Sequence, residues 1–289
     1  MDFIGGPISF ELTRRALFDA SLLGIACGVL GVFVVLRGLP FISDALSHCL
    51  VPGVVVAYLT HTSQELWGGA AALLSAWGIA ALVRRGLLGS DPAIAVVFST
   101  MFALGLALIS VTRSYLNDLT EILFGQILAV TPADLVVCAA ITLVVVATVA
   151  LLYWPLVMVS FDPAAAQAQG LPVERLDLTL YTLIALAIVP GFVAVGSLLV
   201  TALLIVPAAT ARLLARRVAT QMVVSAGLAV AASWIGIYAS YYSKLATGGA
   251  IVVAAGLLFI AALVASPQHG LIARLSRRAT ARRALALES

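Results

Sequence analysis

Asp44 and His48 stand four residues apart in the stretch FISDALSHCLVPG, residues 41–53. A helix brings positions i and i+4 onto one face, so a carboxylate and an imidazole share a single turn. The pair offers one oxygen and one nitrogen donor, a set that suits Mn, Fe or Zn; the lack of thiolates argues against Cu(I). Two donors are an incomplete coordination shell. A two-fold dimer brings two copies of the pair together and supplies four. Weak coordination is also what a conduit needs, because the ion must leave again. A plainer reading fits the same spacing: Asp44 caps a helix start and His48 hydrogen-bonds to it.

The surroundings bear on this choice. The pair opens an apolar stretch, and an ionisable group at membrane depth costs about 3 kcal/mol on insertion scales. Such groups face a water-filled cavity or a partner. Pro52-Gly53 is expected to break the helix soon after His48, and broken helices at membrane depth often line substrate paths. The other polar positions read more plainly. Ser90-Asp91-Pro92 looks like a helix start, with Ser or Asp as cap and Pro in the first turn. Asp118 and Glu121 lie on an amphipathic stretch, Asn117–Val130, as solvated rim residues that an incoming protein could meet. His61 and His269 have no ligand-like neighbour. Cys27, Cys49 and Cys138 all lie in apolar runs and read as small packing residues.

The elements that position the pair follow from composition. The 289 residues are 63% hydrophobic and 10% charged, with mean hydropathy +1.14. A soluble domain carries about 25% charged residues, and a soluble surface needs more polar cover than this chain has. The apolar runs are continuous rather than alternating, which selects helices over a barrel. An all-α, polytopic transmembrane protein of eight or nine membrane helices is expected. The nine approximate spans are Ala16–Leu36, Ala45–Leu59, Trp67–Val83, Pro92–Val111, Ala133–Tyr153, Leu176–Pro190, Phe192–Leu214, Val218–Tyr238 and Gly248–Ala265, with the sixth and seventh joined by a tight turn at Pro190-Gly191. Gly24, Gly28 and Gly31 lie near one face of the first span and allow close helix approach. Residues 1–266 are expected to form one transmembrane domain and 267–289 a basic cytoplasmic tail. No cleavable leader is expected, since Met1–Glu11 is not a basic n-region.

Basic residues set the orientation. With nine spans, Arg37, Arg84, Arg85, Arg175, Arg212, Arg216, Arg217 and the five tail arginines share one side, twelve of the sixteen Lys and Arg. That side is the cytoplasm, so the C-terminus is inside and the N-terminus outside. Arg14-Arg15 fit this arrangement least well. On the cytoplasmic side, between the fifth and sixth spans, comes FDPAAAQAQGLP, residues 161–172. Asp162 is a good cap, Pro163 suits the first turn, the alanines favour helix and Gly170 is a natural stop. A short helix bounded this well is a simple linker or a handle for a motor. The motor is not in this chain: there is no GxxxxGK[ST] loop, and Lys244 is the only lysine.

These segments, taken in order, are familiar. The chain resembles the membrane-spanning permeases of the manganese/zinc/iron ABC importers (ABC-3 type). The matching strings are GVFVVLR (31–37), DALSH with Pro52-Gly53, DPAI (91–94), LFGQIL (123–128), Phe161-Asp162-Pro163 through Gly170, VGSLLV (195–200), PAATAR (207–212) and Thr247-Gly248-Gly249. DALSH and PAATAR are the most specific. The family usually has a small residue such as Ala where Cys49 stands; its thiol could add a soft ligand but suits packing better. A second basic residue often follows Arg37, where this chain has Gly38.

The resemblance implies an ATP-driven importer in the inner membrane of a bacterium, with a second permease subunit, most simply a homodimer, a cytoplasmic ABC ATPase dimer and an extracellular or periplasmic metal-binding protein. It implies that Asp44 and His48 line the metal path. It also implies that Asp162, Pro163, Ala166 and Gly170 belong to the coupling helix that docks on the ATPase. The metal is cargo, no permanently bound cofactor is expected, and lipid rather than nucleic acid surrounds the chain. Three other readings stand beside this one. An importer of iron–siderophore or cobalamin chelates has a wide path that needs no Asp–His pair. A proton-coupled secondary transporter uses the pair as a relay. A membrane scaffold needs no buried ionisable pair at all. The sequence does not choose among Mn, Zn and Fe.

Overall fold

The computed structural model describes residues 10–111, 130–243 and 245–265. The greater part of the amphipathic stretch 117–130, with Asp118 and Glu121, lies outside the described residues, as do Lys244, His269 and the basic tail. Among the described residues there are twelve helices and no strand: α1 (Glu11–Leu36), α2 (Phe41–Cys49), α3 (Val51–Thr60), α4 (Gln64–Arg84), α5 (Ser90–Val111), α6 (Pro132–Leu151), α7 (Tyr153–Phe161), α8 (Pro163–Ala168), α9 (Val173–Val195), α10 (Ser197–Leu214), α11 (Val218–Ser243) and α12 (Thr247–Ala265). With α2 and α3 counted as one span, nine helical spans among the described residues are long and apolar enough to cross a membrane. The expected division into nine thus reappears with shifted ends.

Helix α1 is the centre of the bundle. It packs against α11, α10, α6 and α9. The small residues on it explain how. A Cβ on Gly28 would lie 2.7 Å from the Ala226 backbone on α11, and one on Gly31 would strike the Leu204 carbonyl on α10. The glycine stripe therefore serves two neighbours, with backbones in near contact. The second span, α2 with α3, is equally enclosed, by α4, α5, α9 and α10.

Two breaks fall elsewhere than expected. The second span is interrupted at Leu50, not at Pro52-Gly53. Pro52 sits in the first turn of α3, where its fixed φ is already helical. Its effect is felt four residues back. It has no N–H for the carbonyl of His48, which takes the N–H of Leu50 instead. Leu50 keeps helical angles, φ −70° and ψ −26°, so the span is interrupted without the chain reversing. Gly53 instead allows α3 and α4 to approach closely, since a side chain there would run into the Trp67 carbonyl of α4.

Likewise Pro190-Gly191 makes no turn. Helix α9 runs through it to Val195, as membrane helices tolerate proline. The joint with α10 is Gly196, at φ 89° and ψ 162°, a region essentially closed to other residues.

Candidate functional site

The carboxylate of Asp44 and the imidazole of His48 come together on one face of α2, with Oδ1 and Nε2 3.7 Å apart. That is beyond a hydrogen bond. Nor does Asp44 cap the helix. The N-cap position is Pro40, and no side chain caps there; Asp44 lies in the turn beyond. Both bonds of the plainer reading are therefore missing. An ion with bonds of about 2.1 Å holds tetrahedral ligands roughly 3.4 Å apart, so a small side-chain rotation brings the two donors onto one ion. The neighbouring serines are not competitors: Ser43 and Ser47 are buried and donate to the carbonyls of Pro40 and Ser43.

Helix α5 forms the wall behind the histidine. The His48 ring lies 5.8 Å from Phe98 and 5.5 Å from Phe102, meeting Phe102 edge-on, and the two phenyl rings stack on each other. Its Nδ1 is buried and has no hydrogen-bond partner among the described residues. The imidazole is thus held by aromatic contact, with Nε2 turned toward the carboxylate.

Asp44 opens onto a cavity of about 330 Å³ lined by Phe41, Asp44, Ala45, Asp91, Ile94, Ala95 and Phe98. The carboxylate side chain is 53% exposed, whereas that of His48 is 22% exposed. Asp91 is the surprise. Its sequence context suggests a cap, but the helical bond from Ala93 goes to the Gly89 carbonyl, so Ser90 and Asp91 already lie within the first turn. The packing of α5 on α2 then sets Asp91 in the same cavity wall as Asp44. No group of three or more His, Cys, Asp or Glu side chains suited to a metal gathers among the described residues. Cys49 does not join the pair; it is buried, with its thiol against Ser75 on α4. His61 ends α3 in the left-handed conformation, φ 52°.

The connector folds as its residues dictate. Asp162 accepts a hydrogen bond from the Ala165 N–H at 2.9 Å and Pro163 opens α8. At the other end Gly170, φ 80°, closes a Schellman turn: its N–H donates to Gln167 O, and that of Leu171 to Ala166 O. Ala166 is buried and pins the helix to the bundle, while Asp162, Pro163, Gln167 and Gly170 are exposed.

Sequence reasoning missed two carboxylates. Asp177 of α9 pairs with Arg37, 140 positions away, a contact no local pattern announces. Asp19 is 2% exposed in α1, against Cys138 of α6. Its signal was available, as an acid inside an apolar run of the first span.

Comparison with known proteins fits this architecture. The model of the ABC 3 transport family matches residues 9–266. The manganese transport system membrane protein MntC of Halalkalibacterium halodurans is 38% identical over 95% of this chain and 94% of its own. A Haemophilus influenzae protein named "Probable iron transport system membrane protein" is 34% identical over 95% of this chain and 97% of its own. Among solved structures, PsaBC from Streptococcus pneumoniae in complex with Fab superposes with a TM-score of 0.82, at 32% identity, covering 93% of this chain and 96% of that one. With the family model matched over nearly the whole length and a relative 38% identical over 95% of this chain, the chain belongs to the ABC 3 transport family.

Proposed function

We propose that this chain is the permease subunit of an ATP-driven importer that passes a divalent transition metal ion, Mn, Fe or Zn, between two copies of the Asp44–His48 pair. The carrying observation is that two metal-type donors lie 3.7 Å apart on a turn beside a cavity while neither donor atom is taken by a cap or a hydrogen bond between them. Relatives named for manganese and for iron transport support that cargo class without choosing within it. Membership of an ABC family favours this reading over gradient-driven transport or a scaffold.

An extracellular binding protein releases the ion into the axis between two permease copies. There the Asp44 carboxylates and His48 imidazoles hold it briefly. The second copy is what completes the shell, since one chain offers two donors. On the cytoplasmic side α8 seats in an ABC ATPase, and ATP binding and hydrolysis switch which side the pair faces. In this orientation the C-terminus and the ends of α1, α4 and α10 bearing Arg37, Arg84, Arg85 and Arg212 are cytoplasmic, in the bacterial cell membrane. Uptake of radioactive Mn²⁺, Fe²⁺ and Zn²⁺ by cells lacking their own importers, with and without this chain beside its cognate ATPase and binding protein, tests the proposal. Uptake of none of the three, or uptake only of a ferric chelate, refutes it.

A further inference from the structure

Among the described residues, only one ion pair has a side chain that is nine-tenths buried: Arg37 with Asp177. The Arg37 side chain is 10% exposed. Its Nη1 donates to Asp177 Oδ1, and its Nε donates to Ser160 Oγ at 2.9 Å. Ser160 in turn donates to the Leu156 carbonyl of its own helix. The two partners have particular addresses. Ser160 is two residues before Asp162, the cap of α8. Asp177 is on α9, seven residues after Gly170, which ends α8. One guanidinium therefore grips both legs from which the connector helix hangs.

The other side of Arg37 leads to the metal pair. Arg37 is the C-cap of α1, and three residues separate it from α2. They have little slack. Gly38, at φ 66°, and Leu39 donate their N–H groups to Val35 O and Val34 O in a Schellman turn. Ile42 then donates to Leu39 O, which ties the turn to the first turn of α2. From the far side of α1, Arg212 of the PAATAR string donates to the Val35 carbonyl at 3.3 Å. The hydrogen-bonded turn thus leads from Arg37 into the first turn of α2, and Asp44 stands seven positions beyond Arg37.

We infer that Arg37 is the positioning residue that transmits movement of α7, α8 and α9 to the Asp44–His48 turn. This rests on the import reading above and says how its two halves are linked. A forked guanidinium holds two partners in fixed directions. Buried, it cannot leave Asp177 without exposing an uncompensated charge to an apolar interior, nor Ser160 without leaving a buried N–H donor unsatisfied. The legs of the connector and the entry to α2 must therefore move together.

The test uses the whole complex, permease with ATPase and binding protein, in lipid vesicles, reading ⁵⁴Mn accumulated per ATP hydrolysed. Asp177→Asn keeps shape and removes the charge. The expected result is an assembled complex whose ATP hydrolysis stays within twofold of wild type while ions per ATP fall at least tenfold. Arg37→Lys keeps the charge and loses the fork, and should give an intermediate ratio. The exchange Arg37→Asp with Asp177→Arg should recover at least half of the wild-type ratio, which guards against a variant that merely folds badly. An unchanged ratio in Asp177→Asn, or hydrolysis and uptake falling in proportion in every variant, overturns the assignment while leaving metal import standing. A wild-type complex that hydrolyses ATP and accumulates no Mn, Fe or Zn overturns the import reading and this assignment with it.

Discussion

Asp44→Asn separates the chemistry of the proposed metal pair from the folding of its helix. The substitution is isosteric. It neutralises a side chain that is 53% exposed, neither caps α2 nor hydrogen-bonds to His48, and so supports nothing nearby. Its effect on stability should stay within about 0.5 kcal/mol, as for ordinary surface changes. Its effect on an ion should not. Two unit charges about 4 Å apart interact by about 1 kcal/mol even at the dielectric of water, so a divalent ion loses roughly 2 kcal/mol per carboxylate removed. Because Asp44 is half exposed, the water limit is the conservative one. At about 1.4 kcal/mol per tenfold, transient binding weakens by about 30-fold for each permease copy that carries the change. His48→Ala differs in kind, since it also empties a space against Phe98 and Phe102 and should lower the melting temperature. The assay is initial uptake at limiting Mn²⁺ in cells with matched membrane levels, beside thermal unfolding in detergent. An Asp44→Asn transporter within twofold of wild type in uptake refutes the site; a large loss of melting temperature in that variant refutes the claim that the fold makes no use of the carboxylate.

Gly170→Ala should destabilise by about 1 kcal/mol through left-handed backbone strain alone, since a methyl there meets nothing within 4 Å. The readout is thermal unfolding, with a drop in ATPase co-purification as the local consequence. Gly53→Ala should be far worse, because its methyl meets the Trp67 carbonyl. Gly227→Ala, mid-helix with open space around it, should be neutral or slightly stabilising. Equal folded yields for these two variants would show that α3 and α4 are not packed this closely.

Much of this fold is legible in the sequence because lipid leaves few choices. Continuous apolar runs become spans, and the capped connector folds from its own residues, Asp162 to Gly170. The departures have one physical source. In water Pro-Gly marks a turn, and in this bundle it does not. At Pro190 the helix simply continues; at Pro52 the missing N–H acts at the carbonyl of His48 and moves the break to Leu50. The real joint, Gly196, is marked by a backbone conformation that no local pattern beyond its glycine identity reveals. The site is legible as a pair because helical spacing puts Asp44 and His48 on one turn. Asp91 and Asp177 are not, because their roles come from packing between helices far apart in the chain.

The exposure of Asp44 is itself an argument about assembly. The second span is the most enclosed of the nine, with 72% of its apolar window buried inside a single chain. Yet on this span the first open face carries Phe41, 69% exposed, and then a carboxylate. Lipid is a poor neighbour for that face, because a carboxylate facing hydrocarbon costs free energy with no return, about 3 kcal/mol at the bilayer centre. A second protein surface or a water-filled axis removes the cost, and a second copy of the same face does both while doubling the donors. The feature that makes the isolated chain unfavourable in a bilayer is thus the one that the proposed paired permease would use to hold its ion.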